Sequence, residues 1–190
     1  MKIFGIDPGS ERTGYGCVES DGRRHRLVTC GAITAPPGAG LPQRLSNIYR
    51  ELSRLLRAEQ PECVAIENLF HAANARSALK LGHARGVAML AAVEAGCDVV
   101  EYTPAEVKRA VVGYGRAEKP QVQMMVKLLL GLAAAPSPHD AADALAVAIC
   151  HLHAAAPGGV KARIDDAARA TAARTKLPRS WRQYRPPANG

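Results

Sequence analysis

Four carboxylates in this chain stand where burial rather than solvent is expected. Asp7 closes the apolar run Ile3-Phe4-Gly5-Ile6, and Glu67 closes Cys63-Val64-Ala65-Ile66. Asp140 and Asp143 lie three residues apart in a segment otherwise rich in Ala, Leu, Val and Ile, so on a helix both leave from one face. Taken singly, some have ordinary readings. Asp7 precedes Pro8-Gly9 and suits a turn, and Ser137-Pro138-His139-Asp140 resembles a helix-capping box with proline in the first turn. Asp143 and Glu67 resist that treatment, because a buried carboxylate is costly unless it is paired or binds a cation. Acids that converge repel, and they cannot all ionise near neutral pH without a cation between them. No His or Cys cluster offers soft ligands, so the expected ion is hard: Mg²⁺, with Mn²⁺ as substitute. Two such ions, about 3.5 to 4 Å apart, activate a water and stabilise a departing oxygen. The chemistry these residues point to is metal-dependent phosphodiester hydrolysis.

For the acids to meet, the elements carrying them must converge. Residues 2–7, 13–20 and 26–34 read as three strands, the last two joined at Asp21-Gly22, a hairpin signal, so the three are antiparallel neighbours. Leu41, Leu45, Ile48, Leu52 and Leu55 recur at helical spacing between Pro42 and Pro61. Residues 63–67 and 99–103 read as further strands, with helices predicted over 75–95, 104–112, 119–132 and 138–153. The order predicts a mixed α/β fold: a five-stranded sheet with an antiparallel side and βαβ crossovers, flanked by helices. Acids at the ends of neighbouring strands and at the start of an adjacent helix lie where such sheets gather ligands.

A length of 190 residues leaves room for one compact domain and a tail. Residues 157–190 hold 8 Lys and Arg against 2 Asp, a net +6, which leaves 17 against 15, only +2, for residues 1–156. The expected organisation is a nuclease domain over 1–156 and a basic, flexible tail over 157–190. Such a tail either raises non-specific affinity for phosphates or merely solubilises. The five cysteines are scattered and include no C-x-x-C pair, which excludes a disulfide framework and a zinc ribbon. No run approaches the roughly 18 apolar residues of a membrane span, and the first residues leave no room for a signal peptide. A cytoplasmic protein is expected.

Gly5-Ile6-Asp7-Pro8-Gly9-Ser10 with Thr13-Gly14-Tyr15-Gly16, then Ala65-Ile66-Glu67, Asn74-Ala75-Arg76-Ser77-Ala78-Leu79-Lys80-Leu81-Gly82, Ala117-Glu118-Lys119 and Asp140-Ala141-Ala142-Asp143-Ala144-Leu145-Ala146 closely resemble the RuvC family of bacterial Holliday-junction resolvases. The resemblance runs in order from residue 1 to about residue 155. It implies a ribonuclease-H-like fold, a homodimer, and paired symmetric nicking of four-way DNA junctions in recombination and repair, alongside branch-migration helicase machinery. The family's four catalytic, metal-holding acids fall on Asp7, Glu67, Asp140 and Asp143. Lys108 and Lys119 match basic positions near scissile phosphates, and Phe70 matches an aromatic that meets unstacked bases. Arg76, Lys80 and Arg85 suit phosphate contact on a helix, or a plain solvated face. Ala78, Gly82 and Gly86, with Val87, Leu90 and Ala91 beside them, form a stripe suited either to a two-fold dimer or to packing on the chain's own sheet. Some family members place a His near Asp140, which makes His139 a candidate ligand or proton carrier; His151 and His153 point in different directions and make a poor metal pair. Alternatives are a ribonuclease acting on RNA/DNA hybrids and a non-catalytic junction-binding module. A sugar-kinase-type phosphate loop at Asp7-x-Gly9 would need a second domain that this chain lacks room for.

Overall fold

A computed structural model describes residues 1–68 and 74–156. The chain runs β1 (Lys2–Asp7), β2 (Arg12–Ser20), β3 (His25–Thr34), α1 (Leu41–Glu59), β4 (Cys63–Glu67), α2 (Ala75–Glu94), β5 (Asp98–Tyr102), α3 (Pro104–Val112), α4 (Lys119–Leu129) and α5 (His139–Ala155). The sheet order is β3-β2-β1-β4-β5. β1 pairs antiparallel with β2 and parallel with β4, so it is the seam between the hairpin side and the crossover side. The Asp21 carboxylate holds the hairpin loop by accepting from the amides of Arg23 and Arg24.

Side-chain alternation along β1 assigns its residues to two cores. Phe4 and Ile6 pack with Ile48, Leu52, Leu56, Ala84 and Ala88 under α1 and α2. Ile3 packs on the opposite face with Leu145, Ile149, Val107 and Val122, under α3, α4 and α5. Asp7 shares the parity of Ile3 and Gly5, and therefore faces α5. The same parity in β4 places Glu67 with Cys63 and Ala65, again on the α5 side.

α5 is buried along almost its whole length, which its small residues permit. Two glycines set how closely it approaches. A Cβ on Gly5 would lie 2.0 Å from the Ala144 carbonyl oxygen, and one on Gly14 would lie 2.0 Å from that of Asp140. The helix backbone therefore rests directly on β1 and β2. Since Asp7 pairs with Gly14 across the two strands, this seat carries Asp140 to the side of Asp7.

Several expectations need correction. α5 begins at His139 with Pro138 as its cap and no side-chain cap bond, so the Ser137–Asp140 capping box is not formed; Ser137 lies one residue too early. α4 stops at Leu129 because Gly131, at a positive φ of 62°, turns the chain. Ala91 is fully buried in the α1/α2 core and is no part of an outer stripe. Cys30 and Cys97 are half-buried.

Candidate active site

The turn leaving β1 is tied by Thr13, a fully buried residue whose hydroxyl donates to the Gly9 carbonyl at 2.8 Å. This fixes Asp7 at the strand end. The register of β1 with β4, Ile6 beside Ile66, puts Glu67 next to it. The two carboxyls are close enough to act on one another. Burial, with Asp143 and then Asp140 nearby, raises Asp7 to about 6. Burial, with Asp7 and then Asp143 nearby, raises Glu67 to about 8. Both carboxyls are thus harder to ionise than isolated ones, and each makes the other harder still.

The acids of α5 have cationic partners. Lys119 Nζ lies 2.6 Å from Asp143 Oδ2, and Arg12 Nη1 lies 3.4 Å from Asp140 Oδ2. Lys119 is raised, first by its hydrogen bond to Asp143. Beside Glu67 and Asp143 opens a cleft of about 200 Å³ with Lys108 and Lys119 on its walls and Pro104, Val107, Val122 and Ala146 as its apolar lining. α3, which carries Lys108, is fixed by a Thr103/Glu106 capping box, and Lys119 is the first residue of α4.

The structure places Asp7, Glu67, Asp140 and Asp143 near one another, with Lys108 and Lys119 beside Glu67 and Asp143. Arg76 and Lys80 are exposed at the start of α2, whereas Arg85 is engaged in an ion pair with Glu101 and is not free for phosphate. Phe70 lies outside the described residues. The His139 ring meets the Gln123 side chain at 2.9 Å instead of an acid. His151 bonds Tyr102 and His153 bonds His25, in different directions. Arg12 is the site residue that sequence reasoning missed. Its contact with Asp140 spans 128 residues, and the only signal for it is its strand parity with Gly14.

The donor set is all oxygen, which fits a hard divalent ion. The upward push that Asp7 and Glu67 receive from one another and from Asp143 marks a local excess of negative charge that such an ion would relieve. Among the described residues no three His, Cys, Asp or Glu side chains are drawn together tightly enough to hold an ion as they stand. Both acids of α5 are engaged by cations: Asp140 bonds Arg12 and Asp143 bonds Lys119.

A mixed five-stranded sheet, acids at two central strand ends and a helix starting above them define a class, the metal-dependent nucleases of ribonuclease-H-like fold. A family model described as "Crossover junction endodeoxyribonuclease RuvC" matches residues 3–151. A relative of that description from Koribacter versatilis is 56% identical over 157 residues, 82% of this chain and 95% of its own length. One from Syntrophotalea carbinolica is 58% identical over 153 residues, 80% of this chain and 94% of its own. Thermus thermophilus RuvC, solved in complex with a Holliday junction substrate, superposes with a TM-score of 0.76 at 38% identity, over 80% of this chain and 92% of that one. The yeast mitochondrial resolvase Ydc2 shares the fold, with a TM-score of 0.58 at 13% identity over 79% and 77% of the two chains. The chain belongs to the RuvC family of crossover junction endodeoxyribonucleases, enzymes that hydrolyse DNA.

Proposed function

We propose that this nuclease resolves Holliday junctions with Asp7, Glu67, Asp140 and Asp143 as its catalytic, metal-holding acids. The observation that carries the assignment is geometric: Asp7 and Glu67 end the adjacent strands β1 and β4 on the face that α5 covers, beside Asp140 and Asp143. Mg²⁺, held as two ions by these acids, would supply an activated water and stabilise the leaving oxygen. The chain's own residues do the remainder. Asp7 and Glu67, ionised with their proton given up to solvent, would hold the cation at the ends of β1 and β4. Lys108 and Lys119 bind the phosphate beside the cleft, while Arg76 and Lys80, exposed at the start of α2, hold the backbone further along. Phe70, three residues beyond Glu67, is assigned to unstacked bases at the junction centre through the family match.

Resolution requires matched nicks on two opposed strands, which one site cannot make, so the working form is a two-fold homodimer. Its surface is the outer stripe of α2. Among the described residues nothing lies within 4 Å of a Cβ placed on Gly82 or Gly86, and Leu79, Leu90 and Val93 are exposed at 64%, 51% and 64%. Among the described residues no helix is long and apolar enough to cross a membrane. The substrate places the enzyme with cytoplasmic DNA and with the branch-migration helicase that the family resemblance implies.

A labelled synthetic four-way junction, incubated with protein in Mg²⁺ and in EDTA, tests the reading by mapping the nicks. Symmetric nicks near the crossover in Mg²⁺ alone are expected. Preferential cutting of an RNA/DNA hybrid would favour the ribonuclease alternative. Binding without cutting would favour the non-catalytic one.

A further inference from the structure

We infer that Arg12 is a phosphate-binding residue held in reserve by Asp140 and released to DNA when Asp140 turns to a metal ion. The inference rests on the assignment of the four acids proposed above.

Every one of these acids has a partner within the protein. Asp7 and Glu67 have each other, Asp143 has Lys119, and Asp140 has Arg12. Arg12 and Lys119 occupy Asp140 and Asp143, so an ion shared by these acids with Asp7 and Glu67 would compete with both cations. Two basic side chains are then set free together. The sequence predicts that Lys119 meets phosphate; it makes no such prediction for Arg12.

The position of Arg12 follows from the strand. It is the first residue of β2, paired with Thr34, and shares the parity of Gly14 and Gly16, the positions on which Asp140 and Leu145 of α5 rest. Its Cα is fixed beside the first turn of α5, while its side chain is 52% exposed and can turn. The ion pair, at 3.4 Å and with Asp140 28% exposed, is of the weak, exchangeable kind. A guanidinium freed there offers phosphate a bidentate grip that a lysine cannot. β2 and β4 lie on opposite sides of β1. Arg12 therefore stands across the acids from the cleft of Lys108 and Lys119, and basic groups flank both sides of the bond to be cut.

The test compares wild type, Arg12→Gln and Arg12→Lys in two measurements. Junction affinity is followed against salt in EDTA and in Ca²⁺, with denaturing gels verifying that the strands stay intact. In Ca²⁺, Arg12→Gln should lower the slope of log affinity against log salt by about 0.9, one phosphate contact, and Arg12→Lys should keep it. In EDTA, where Asp140 still holds Arg12, the three slopes should coincide. Without DNA, calorimetric titration with Mg²⁺ should show Arg12→Gln binding a few-fold tighter than wild type, because a competing cation is gone. Equal slopes in Ca²⁺, or the same loss in EDTA as in Ca²⁺, would overturn the inference. So would unchanged Mg²⁺ affinity. If wild type fails to cut junctions in Mg²⁺, the proposed function falls separately, and the DNA-free titration still decides the competition between Arg12 and metal.

Discussion

Lys119 Nζ sits 2.6 Å from Asp143 Oδ2, so the first residue of α4 neutralises an acid near the start of α5. Asp143→Asn removes that charge at almost constant volume. Cutting of a four-way junction in Mg²⁺ should fall by more than about 100-fold, a loss at the upper end for disturbing a metal site. Junction binding should survive, or tighten, since an anion leaves a crowded anionic cluster and Lys119 is freed. Undiminished nicking by this variant would remove Asp143 from the site.

Glu67 gives a stability prediction with a definite sign. Its native carboxyl is raised, to about 8, chiefly by burial and then by Asp7, so the folded chain holds its proton more tightly than the unfolded one. Stability from this protonation is complete below the unfolded value near 4.5 and is lost as pH rises towards 8. In EDTA, Glu67→Gln should therefore raise the unfolding midpoint at pH 8, by on the order of 1 kcal/mol or more, and gain nothing near pH 4. Saturating Mg²⁺ should reverse the order at pH 8 by stabilising only the wild type. Thermal scans at both pH values check both halves. A Glu67→Gln variant no more stable than wild type at pH 8 in EDTA would mean that Glu67 is not strained by its neighbours.

The acids are legible in the sequence because each breaks an apolar run, and because strand alternation and helical spacing fix the direction in which each points. β1, β4 and α3 take their bounds from Pro, Gly and charge punctuation, and the structure agrees. What the sequence hides depends on contact between distant segments. The Arg12–Asp140 pair exists because Gly14 lets α5 touch β2, and no local pattern encodes which helix will lie there. Likewise Arg85 reads as one more basic residue of α2 until β5 brings Glu101 against it. Ala91 and Gly82 look equivalent in a stripe of small residues, yet the first is core and the second faces outward.

That contrast among small residues is testable at two glycines. Gly14→Ala drives a methyl into the Asp140 carbonyl, where only backbone movement makes room. It should destabilise the fold by about 2 kcal/mol or more and shift Asp140 away from Asp7, with cutting lost even where the chain remains folded. At Gly82, by contrast, an added Cβ has no neighbour within 4 Å among the described residues, so Gly82→Leu points its side chain outward. It should leave the protomer's unfolding intact but split the proposed dimer, giving single unpaired nicks on a cruciform plasmid. A wild-type chain that sediments as a monomer at micromolar concentration and still makes paired nicks would defeat the α2 dimer.

The last prediction concerns the opposite end of α5, where a cleft of about 590 Å³ is lined by Met1, Ser20, Asp21, His25, Leu152 and His153. His25 Nε2 and His153 Nε2 lie 3.3 Å apart, and His153 Nδ1 donates to the Ala110 carbonyl at 2.9 Å, which leaves its Nε2 as the acceptor of the pair. The bond joins the start of β3 to the last turn of α5. Burial and then His153 lower His25 below its ordinary 6.5, with Asp21 acting the other way. A histidine lowered in the native state binds its proton better when unfolded. The stability it contributes is whole above about pH 6.5 and is lost as pH falls below it. After solvent screening of this half-buried group the loss should stay below about 1 kcal/mol. Denaturant midpoints of wild type and His25→Gln, taken between pH 7.5 and 5.5 in saturating Mg²⁺, read it directly. The wild-type curve should fall more steeply with acid than the variant's, while junction cutting at pH 7.5 is the same for both, because the pair lies at the far end of the helix from the acids. Parallel curves would show that His25 titrates alike in the folded and unfolded chain, and that its bond to His153 does not sense pH.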